Sequence, residues 1–149
     1  NVPFPIIRLG EVYLNYAEAL NEYYGESRQD EVLEYLNAIR ERAGIPGYED
    51  SYSQEEMREM IRHERKIELC YECQRFFDVR RWFIAHGPNG AFNHNEYGLD
   101  MSKGENATDK EFLSMTEAAI KRFDIKHYLM PIKASECELN TELVQAPFY

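Results

Sequence analysis

The chain has 149 residues, of which 44% are hydrophobic and 30% charged, a composition typical of a folded globular protein and not of a disordered segment. Its formal net charge of −10 argues against a nucleic-acid partner, because that binding depends on cationic side chains that neutralise phosphates. The same charge opposes docking on an anionic lipid surface, and no apolar run approaches the length that spans a membrane.

Two helices are predicted near the start of the chain. The first follows Pro5 and ends before Gly25, and the second ends at the helix-breaking run Gly44-Ile45-Pro46. Two antiparallel helices of this length form one tetratricopeptide-like hairpin. Apolar side chains recur at helical spacing at Leu9, Val12, Tyr13, Tyr16, Ala17 and Leu20 in the first helix, and at Val32, Leu33, Leu36 and Ile39 in the second.

A third helix is predicted to begin at the capping box Ser53-Gln54-Glu55-Glu56 and to continue to about Tyr71. Steps of four and three residues place two carboxylates, Glu64 and Glu68, on its buried face between apolar neighbours. Two buried carboxylates could form a general acid/base pair. They could equally be satisfied by guanidinium groups, and the many arginines nearby favour this structural interpretation.

The predicted ion-pair network is therefore structural, and the sequence predicts no catalytic residue, no metal ligand and no cofactor. Its members are Arg8, Glu11, Glu18, Arg40, Glu64, Arg65, Glu68, Arg75, Asp78, Arg80 and Arg81.

The stretch from Phe83 to about Thr108 has many Gly, Asn and His residues and no sustained period, which predicts a long surface loop. Flat rings and amides suit a polyhydroxylated ligand, and a solvated or partner-covered loop is the alternative. Its candidate ligand-binding residues are Phe92, Asn93, His94, Asn95 and Tyr97. After this loop we expect a short helix at Thr116 to Arg122, an extended stretch at Phe123 to Ile132 and a closing turn at Ser135 to Asn140.

The sequence Cys70-Tyr71-Glu72-Cys73 has the spacing of a redox pair or of half a zinc site. Its place late in a helix, beside acidic residues, opposes thiolate formation. Both cysteines, and Cys137 with them, are therefore expected to be buried and inert.

These patterns predict a mainly α fold, a tetratricopeptide-like helical hairpin plus further helices, with long loops and little β-structure. One domain is expected over residues 1–149. It comprises a helical core at about 5–82, a loop-rich excursion at about 83–115 and a closing segment at about 116–149. The start, Asn-Val-Pro-Phe-Pro, has neither an initiating Met nor a cationic leader and predicts a piece of a longer protein.

Four blocks, in order along the chain, resemble the C-terminal region of the SusD/RagB family. They are the run from Ile7 to Ala19, the run from Leu36 to Pro46, Ile61 to Leu69 followed by Gln74 to Trp82, and Tyr128 to Ile132 with Glu138, Asn140, Leu143 and Gln145. The family usually has glycine where Cys73 stands, a second proline where Lys133 stands, and Gln-Asn-Pro-Gly-Tyr where this chain ends Gln145-Ala146-Pro147-Phe148-Tyr149.

This resemblance implies an outward-facing lipoprotein of the outer membrane in Bacteroidetes-like bacteria. Such a protein captures an oligosaccharide or peptide without covalent chemistry and closes over a TonB-dependent transporter of the SusC type. Its lipid anchor, and most of the binding site, would precede Asn1. The alternative function is a helical protein–protein interaction scaffold without a small-molecule ligand, and a hydrolase comes third.

Overall fold

The computed structural model describes residues 6–104, 106 and 108–149. Five α-helices and one two-stranded sheet lie in these ranges, so the predicted mainly α fold with little β-structure is confirmed. The elements are α1 Leu9–Tyr24, α2 Gln29–Arg42, α3 Gln54–Glu68, α4 Gln74–Arg81, β1 Asn95–Asp100, β2 Ser114–Ile120 and α5 Ala134–Leu139, with 3-10 helices at Gly25–Arg28 and Ile125–Tyr128.

The chain divides into two compact units, Asn1–Arg75 and Phe76–Tyr149, and each is described by itself. The single domain expected over residues 1–149 stays a prediction. Pro5, which the sequence places ahead of the first helix, lies outside the described residues.

The first unit is built from α1, α2 and α3, and α1 packs against both of the others. Half-buried tyrosines, among them Tyr13, Tyr35 and Tyr48, pack around the edge of the core. Because each helix buries one apolar stripe against its neighbours, the three helices share a single core. That core consists of Leu14, Ala17, Leu20, Val32, Leu36, Ile39, Met57, Ile61 and Leu69.

The helix ends follow the predicted local signals. α1 ends at Gly25, whose φ of 58° is a backbone conformation that favours glycine. α3 begins with a complete capping box, in which the Ser53 hydroxyl accepts the Glu56 N–H and the Glu56 carboxylate accepts the Ser53 N–H at 2.9 Å. These two local motifs therefore fix where α1 stops and α3 starts.

The predicted buried face of α1 is partly wrong. Leu9 is 63% exposed and Val12 is also exposed, whereas Leu14 and Asn21 are buried. Because α1 contacts both α2 and α3, its buried face is set by two neighbours and is rotated from the stripe that hydrophobicity alone suggests. Asn21 fits there because its side-chain amide donates to the Gln54 carbonyl at 3.1 Å, and the Gln54 amide donates to the Asn21 carbonyl at 2.7 Å.

The third helix is shorter than predicted, since α3 ends at Glu68 and not at Tyr71. The chain turns there, and both Tyr71 and Cys73 adopt positive φ, at 66° and 61°. A helix cannot continue through such a backbone, so Tyr71 leaves the buried face and is 98% exposed.

The second unit contains α4, the antiparallel β1–β2 pair and a small core formed by α4 and by segments outside the two strands. Val79, Ala85 and Phe123 are buried. The Tyr128 hydroxyl accepts the backbone N–H groups of Ala85 at 2.8 Å and His86 at 3.3 Å. This hydroxyl anchors the chain that follows α4.

Three local predictions for the second unit are wrong. The helix expected at Thr116 to Arg122 is instead the strand β2, because its backbone pairs with β1. The extended stretch at Phe123 to Ile132 contains a 3-10 helix, and the closing turn at Ser135 to Asn140 is the helix α5. The long loop also contains β1. At β2 the pairing with β1 outweighs a weak local preference for helix.

Candidate functional site

The buried carboxylate of Glu64 is satisfied within the first unit. Its Oε1 lies 2.5 Å from Arg40 Nη1 and accepts the Tyr48 hydroxyl at 2.8 Å, while Glu64 is only 5% exposed. The Arg40 guanidinium lies over the Tyr48 ring at 4.1 Å. Burial, followed by the hydrogen bond to Glu64, raises the pKa of Tyr48 to about 12. The hydrogen-bonding position on the Glu64 carboxylate that a substrate would need is therefore occupied by a guanidinium and a phenol.

The second carboxylate, Glu68, is also held by arginines. Arg8 Nη1 lies 2.5 Å from Glu68 Oε1, and Arg42 Nη2 lies 2.7 Å from Oε2. Arg8 Nε also donates to both carboxylate oxygens of Glu72, at 2.8 and 2.9 Å. Glu72 first, and then Glu68, raise the pKa of Arg8 above its ordinary value. A small cleft of about 220 Å³ borders Glu68, but this carboxylate already accepts two guanidiniums.

The remaining predicted network members of the first unit are Arg65, Glu18, Glu11 and Arg75. Arg65 is buried, donates to Asn15 Oδ1 at 2.6 Å and lies 4.0 Å from the Glu18 carboxylate. Glu11 lies in the first turn of α1 and Arg75 in the first turn of α4. These contacts link arginines and carboxylates of the first unit, and the structural role of the whole predicted network stays a prediction.

The predicted network members of the second unit divide between two surroundings. Arg81 Nε donates to the buried Asp78 at 2.9 Å, one turn back along α4. Arg80 donates to the Tyr128 carbonyl at 3.0 Å and packs between two rings, 4.3 Å from the centre of Phe76 and 5.3 Å from that of Phe123. The Arg80 guanidinium is therefore in contact with aromatic rings and a carbonyl group, and no carboxylate is among these partners.

Of the five predicted ligand-binding residues, Phe92 lines a cleft of the second unit, and the other four do not line that cleft. Asn93 donates to the Gly87 carbonyl at 2.8 Å, and Asn95 donates to Glu117 at 2.5 Å, so these amides hold the backbone in place. His94 and Tyr97 are exposed, and Tyr97 lies in β1. The cleft therefore contains one of the five, and a ligand-binding role for the five residues stays a prediction.

The cleft that contains Phe92 is the candidate binding site, and all of it lies in the second unit. Its volume is about 500 Å³, within the range of small-molecule sites. Three aromatic rings and four basic or potentially basic side chains form its walls. These residues are Phe76, Arg80, Phe92, Lys121, Arg122, Phe123 and His127.

The polar groups of this cleft are all hydrogen-bond donors or can act as donors. Lys121 pairs with Glu96, and Arg122 Nη1 donates to Asn95 Oδ1 at 3.2 Å and to the Lys121 carbonyl at 2.8 Å. His127 Nδ1 accepts the Asp124 N–H at 2.9 Å. In the neutral ring the proton therefore lies on Nε2, which can donate. None of the seven lining residues is Asp or Glu.

Sequence reasoning missed five lining residues. Phe76 was treated only as part of a motif, and Lys121, Arg122, Phe123 and His127 were assigned to a short helix and an extended stretch. The available signal was the run Lys121-Arg122-Phe123, in which two cations adjoin a ring. Its relevance depends on contacts with α4 and Phe92, which are distant in sequence.

The cysteines were predicted incorrectly, since Cys70 and Cys73 are exposed and Cys137 is half-buried. The turn after α3 causes this, because it exposes the segment that the sequence placed in a helix. Over residues 6–104, 106 and 108–149 no group of three or more His, Cys, Asp and Glu side chains could hold a metal ion. No helix in the same ranges has the length and hydropathy of a membrane span.

The first unit is therefore a set of helices braced by arginine–carboxylate pairs, and the second unit contains a cleft lined by rings and cations. The SusD family pattern matches residues 1–149, and the chain belongs to this family.

Named relatives support this assignment. The chain is 38% identical to SusD-like protein P2 of Formosa agariphila over 94 residues, which cover 56% of this chain and 18% of that protein. The structure of a SusD-like protein from Bacteroides fragilis shares 34% identity and a TM-score of 0.76, over 97% of this chain and 25% of the other. A SusD-like carbohydrate binding protein from the same organism shares 30% identity and a TM-score of 0.73, over 94% and 28%. The chain thus spans about a quarter or less of the length of these SusD-like relatives.

Proposed function

We propose that this chain is part of a non-enzymatic, cell-surface protein that binds glycans, and that the aromatic cleft of the second unit contacts the sugar. The single observation that most supports this proposal is the cleft of about 500 Å³ with three rings and only donor or potential donor side chains. Membership of the SusD family and likeness to a carbohydrate binding relative agree with it.

The lining of the cleft suits a sugar for two physical reasons. The C–H face of a sugar ring is apolar and packs on aromatic rings, and Phe76 is 41% exposed and available for this contact. Arginine, lysine and histidine N–H groups donate to hydroxyl oxygens. Glycoside hydrolysis ordinarily needs two carboxyl groups at the scissile bond, and none of the lining residues provides one. This lining supports binding without turnover.

Family membership also supports a cellular location and a partner for the whole protein. We infer an outward-facing lipoprotein of the outer membrane, attached through a lipid anchor upstream of this chain. Its partner would be a TonB-dependent transporter of the SusC type, and its ligand an oligosaccharide or a peptide. The chain would contribute a brace, α1 to α3, and one wall of the ligand site.

Calorimetric titration of the intact protein with a panel of oligosaccharides tests this function. Phe76→Ala should weaken binding about 5- to 10-fold, the loss of one ring contact. Phe77→Ala is the matched control, because Phe77 is the next residue of α4, is 62% exposed and does not line the cleft. A panel without any binding glycan, or equal affinity in the two variants, would contradict the proposal. The first outcome would favour the interaction scaffold.

A further inference from the structure

We propose that this cleft selects sugars that bear an acidic group, a carboxylate or a sulfate ester, over neutral sugars of the same size. The inference rests on the proposed glycan-binding function and adds the class of ligand. It concerns the charges of the second unit and not the rings, which would suit a neutral sugar equally well.

The charge of the cleft differs in sign from that of the chain. The sequence has 27 acidic and 17 basic residues, yet three of the seven lining residues are Lys or Arg and none is acidic. Lys121 is neutralised by Glu96, which leaves the guanidiniums of Arg80 and Arg122. Within the described part of the chain, neither of these two forms a salt bridge with a carboxylate. The walls of the cleft therefore have an uncompensated positive charge in an acidic protein.

Arg80 is held in a fixed orientation beside the cleft. The rings of Phe76 and Phe123 lie 4.3 and 5.3 Å from its guanidinium carbon, and its Nη1 donates to the Tyr128 carbonyl at 3.0 Å. Its Nε is buried and has no acceptor in the described ranges. Rings and a carbonyl fix the plane of the guanidinium without neutralising it. Little side-chain entropy is then lost when an anion approaches.

Arg122 supplies the second charge from an exposed position. Its Nη1 is bonded only to neutral oxygens, Asn95 Oδ1 and the Lys121 carbonyl, at 3.2 and 2.8 Å. These bonds orient the side chain and leave its charge available. A guanidinium can bind two oxygens of a carboxylate or sulfate at once, which a sugar hydroxyl cannot match. His127 adds a donor at Nε2, because its Nδ1 accepts the Asp124 N–H.

The test compares one oligosaccharide scaffold in three forms, neutral, uronic and sulfated, by calorimetry on the intact protein. At least one acidic form should bind about tenfold more tightly than the neutral form, and this advantage should shrink as salt is added. The two acidic arms distinguish a carboxylate from a sulfate as the preferred group.

Arg122→Gln should reduce the affinity for the acidic form about 5- to 10-fold more than the affinity for the neutral form, because glutamine can still donate to a hydroxyl oxygen but has no charge. Arg122 is exposed, so the variant should keep the melting temperature of the parent protein. Lys110→Gln is the control for net charge, because Lys110 is exposed and does not line the cleft. It should bind both forms as the parent does.

Equal binding of the neutral and both acidic forms would overturn the selection for acidic sugars and leave glycan binding intact. Equal loss of neutral and acidic binding in Arg122→Gln would overturn it as well, because the arginine would then act without regard to charge. If none of the three forms binds, and no other glycan does, the proposed function itself fails.

Discussion

Glu64 of α3 and Arg40 of α2 form an ion pair inside the first unit, with 2.5 Å between Oε1 and Nη1. The side chains are only 7% and 18% exposed, so water compensates little of either charge. Tyr48 completes the group by donating its hydroxyl to the same carboxylate oxygen at 2.8 Å. The pair joins α2 to α3, and removing one partner would leave the other charge buried without compensation. Its stabilising effect therefore depends on both charges being present.

Glu64→Gln keeps the shape of the side chain and removes its charge, so the Arg40 guanidinium is left without its partner. We expect the free energy of unfolding to fall by about 3 kcal/mol, the lower end of the range for one broken buried pair. Urea denaturation followed by circular dichroism measures this change. Glu59→Gln is the control, since Glu59 is exposed and pairs with Arg62 one turn away, where less than about 0.5 kcal/mol is expected. Equal midpoints for the two variants would show that the pair contributes no net stability.

The raised pKa of Tyr48 predicts that the folded protein loses stability at alkaline pH. Burial and the bond to Glu64 raise its pKa in the folded state from 10 to about 12. Below pH 10 both states keep the proton, and the stabilisation is complete. Between pH 10 and 12 the unfolded state releases its proton first, so stability falls as the pH rises.

Tyr48→Phe should therefore show a smaller drop in denaturation midpoint between about pH 9 and about pH 11.5 than the parent protein. Tyr71→Phe is the control, because this side chain is 98% exposed and should leave the drop unchanged. A parent-like drop in Tyr48→Phe would mean that other groups cause the alkaline loss.

Gly90 allows the close turn that leads into Phe92 of the cleft. A Cβ at this position would overlap the backbone carbonyl oxygens of Ala85 and His86, which cannot move without disturbing the turn. We expect Gly90→Ala to cost about 3 kcal/mol, the upper part of the range for overpacking, and to weaken glycan binding by displacing Phe92.

Gly98→Ala is the matched control in the same unit, because its Cβ would make an ordinary contact with Ala118 at 3.5 Å. Thermal melts and calorimetry should show no loss of stability or of binding for this variant. A Gly90→Ala protein that melts and binds like the parent would show that the turn tolerates a side chain.

The first unit was largely predictable from sequence, because its signals are local. The Ser53 capping box and Gly25 mark helix ends within a few residues of the groups they satisfy. The buried face of α1 was less predictable, since Asn21 is polar and becomes a core residue only through Gln54, which lies on another helix. Hydrophobic periodicity does not identify a polar residue as buried when its hydrogen-bond partner lies on another helix.

The candidate site was mostly beyond sequence reasoning. β2 pairs with β1 across a long loop and exposes nearly all its side chains, so it shows no alternation of apolar and polar residues. Once β2 was assigned to a helix, Arg122 and Phe123 were separated from Phe92 and α4. Phe92 alone was identified, from the preference of ligand sites for rings in loops.

Cys73 offers a test of the turn after α3. It adopts a φ of 61°, a conformation that costs a residue with a Cβ roughly 1–2 kcal/mol and that glycine adopts freely. We therefore expect Cys73→Gly to stabilise the protein by about 0.5–1 kcal/mol, after the greater entropy of the unfolded glycine is subtracted.

Cys70→Gly is the matched control, because Cys70 has the same side chain, is exposed and does not adopt a positive φ. At Cys70 glycine only increases the entropy of the unfolded chain, so this variant should lose about 0.5–1 kcal/mol of stability. Denaturant titrations under reducing conditions compare the two variants with the parent. Opposite signs would establish that the left-handed backbone at Cys73 is strained by its side chain. A loss in both variants would show instead that the thiol of Cys73 makes a stabilising contact which outweighs that strain.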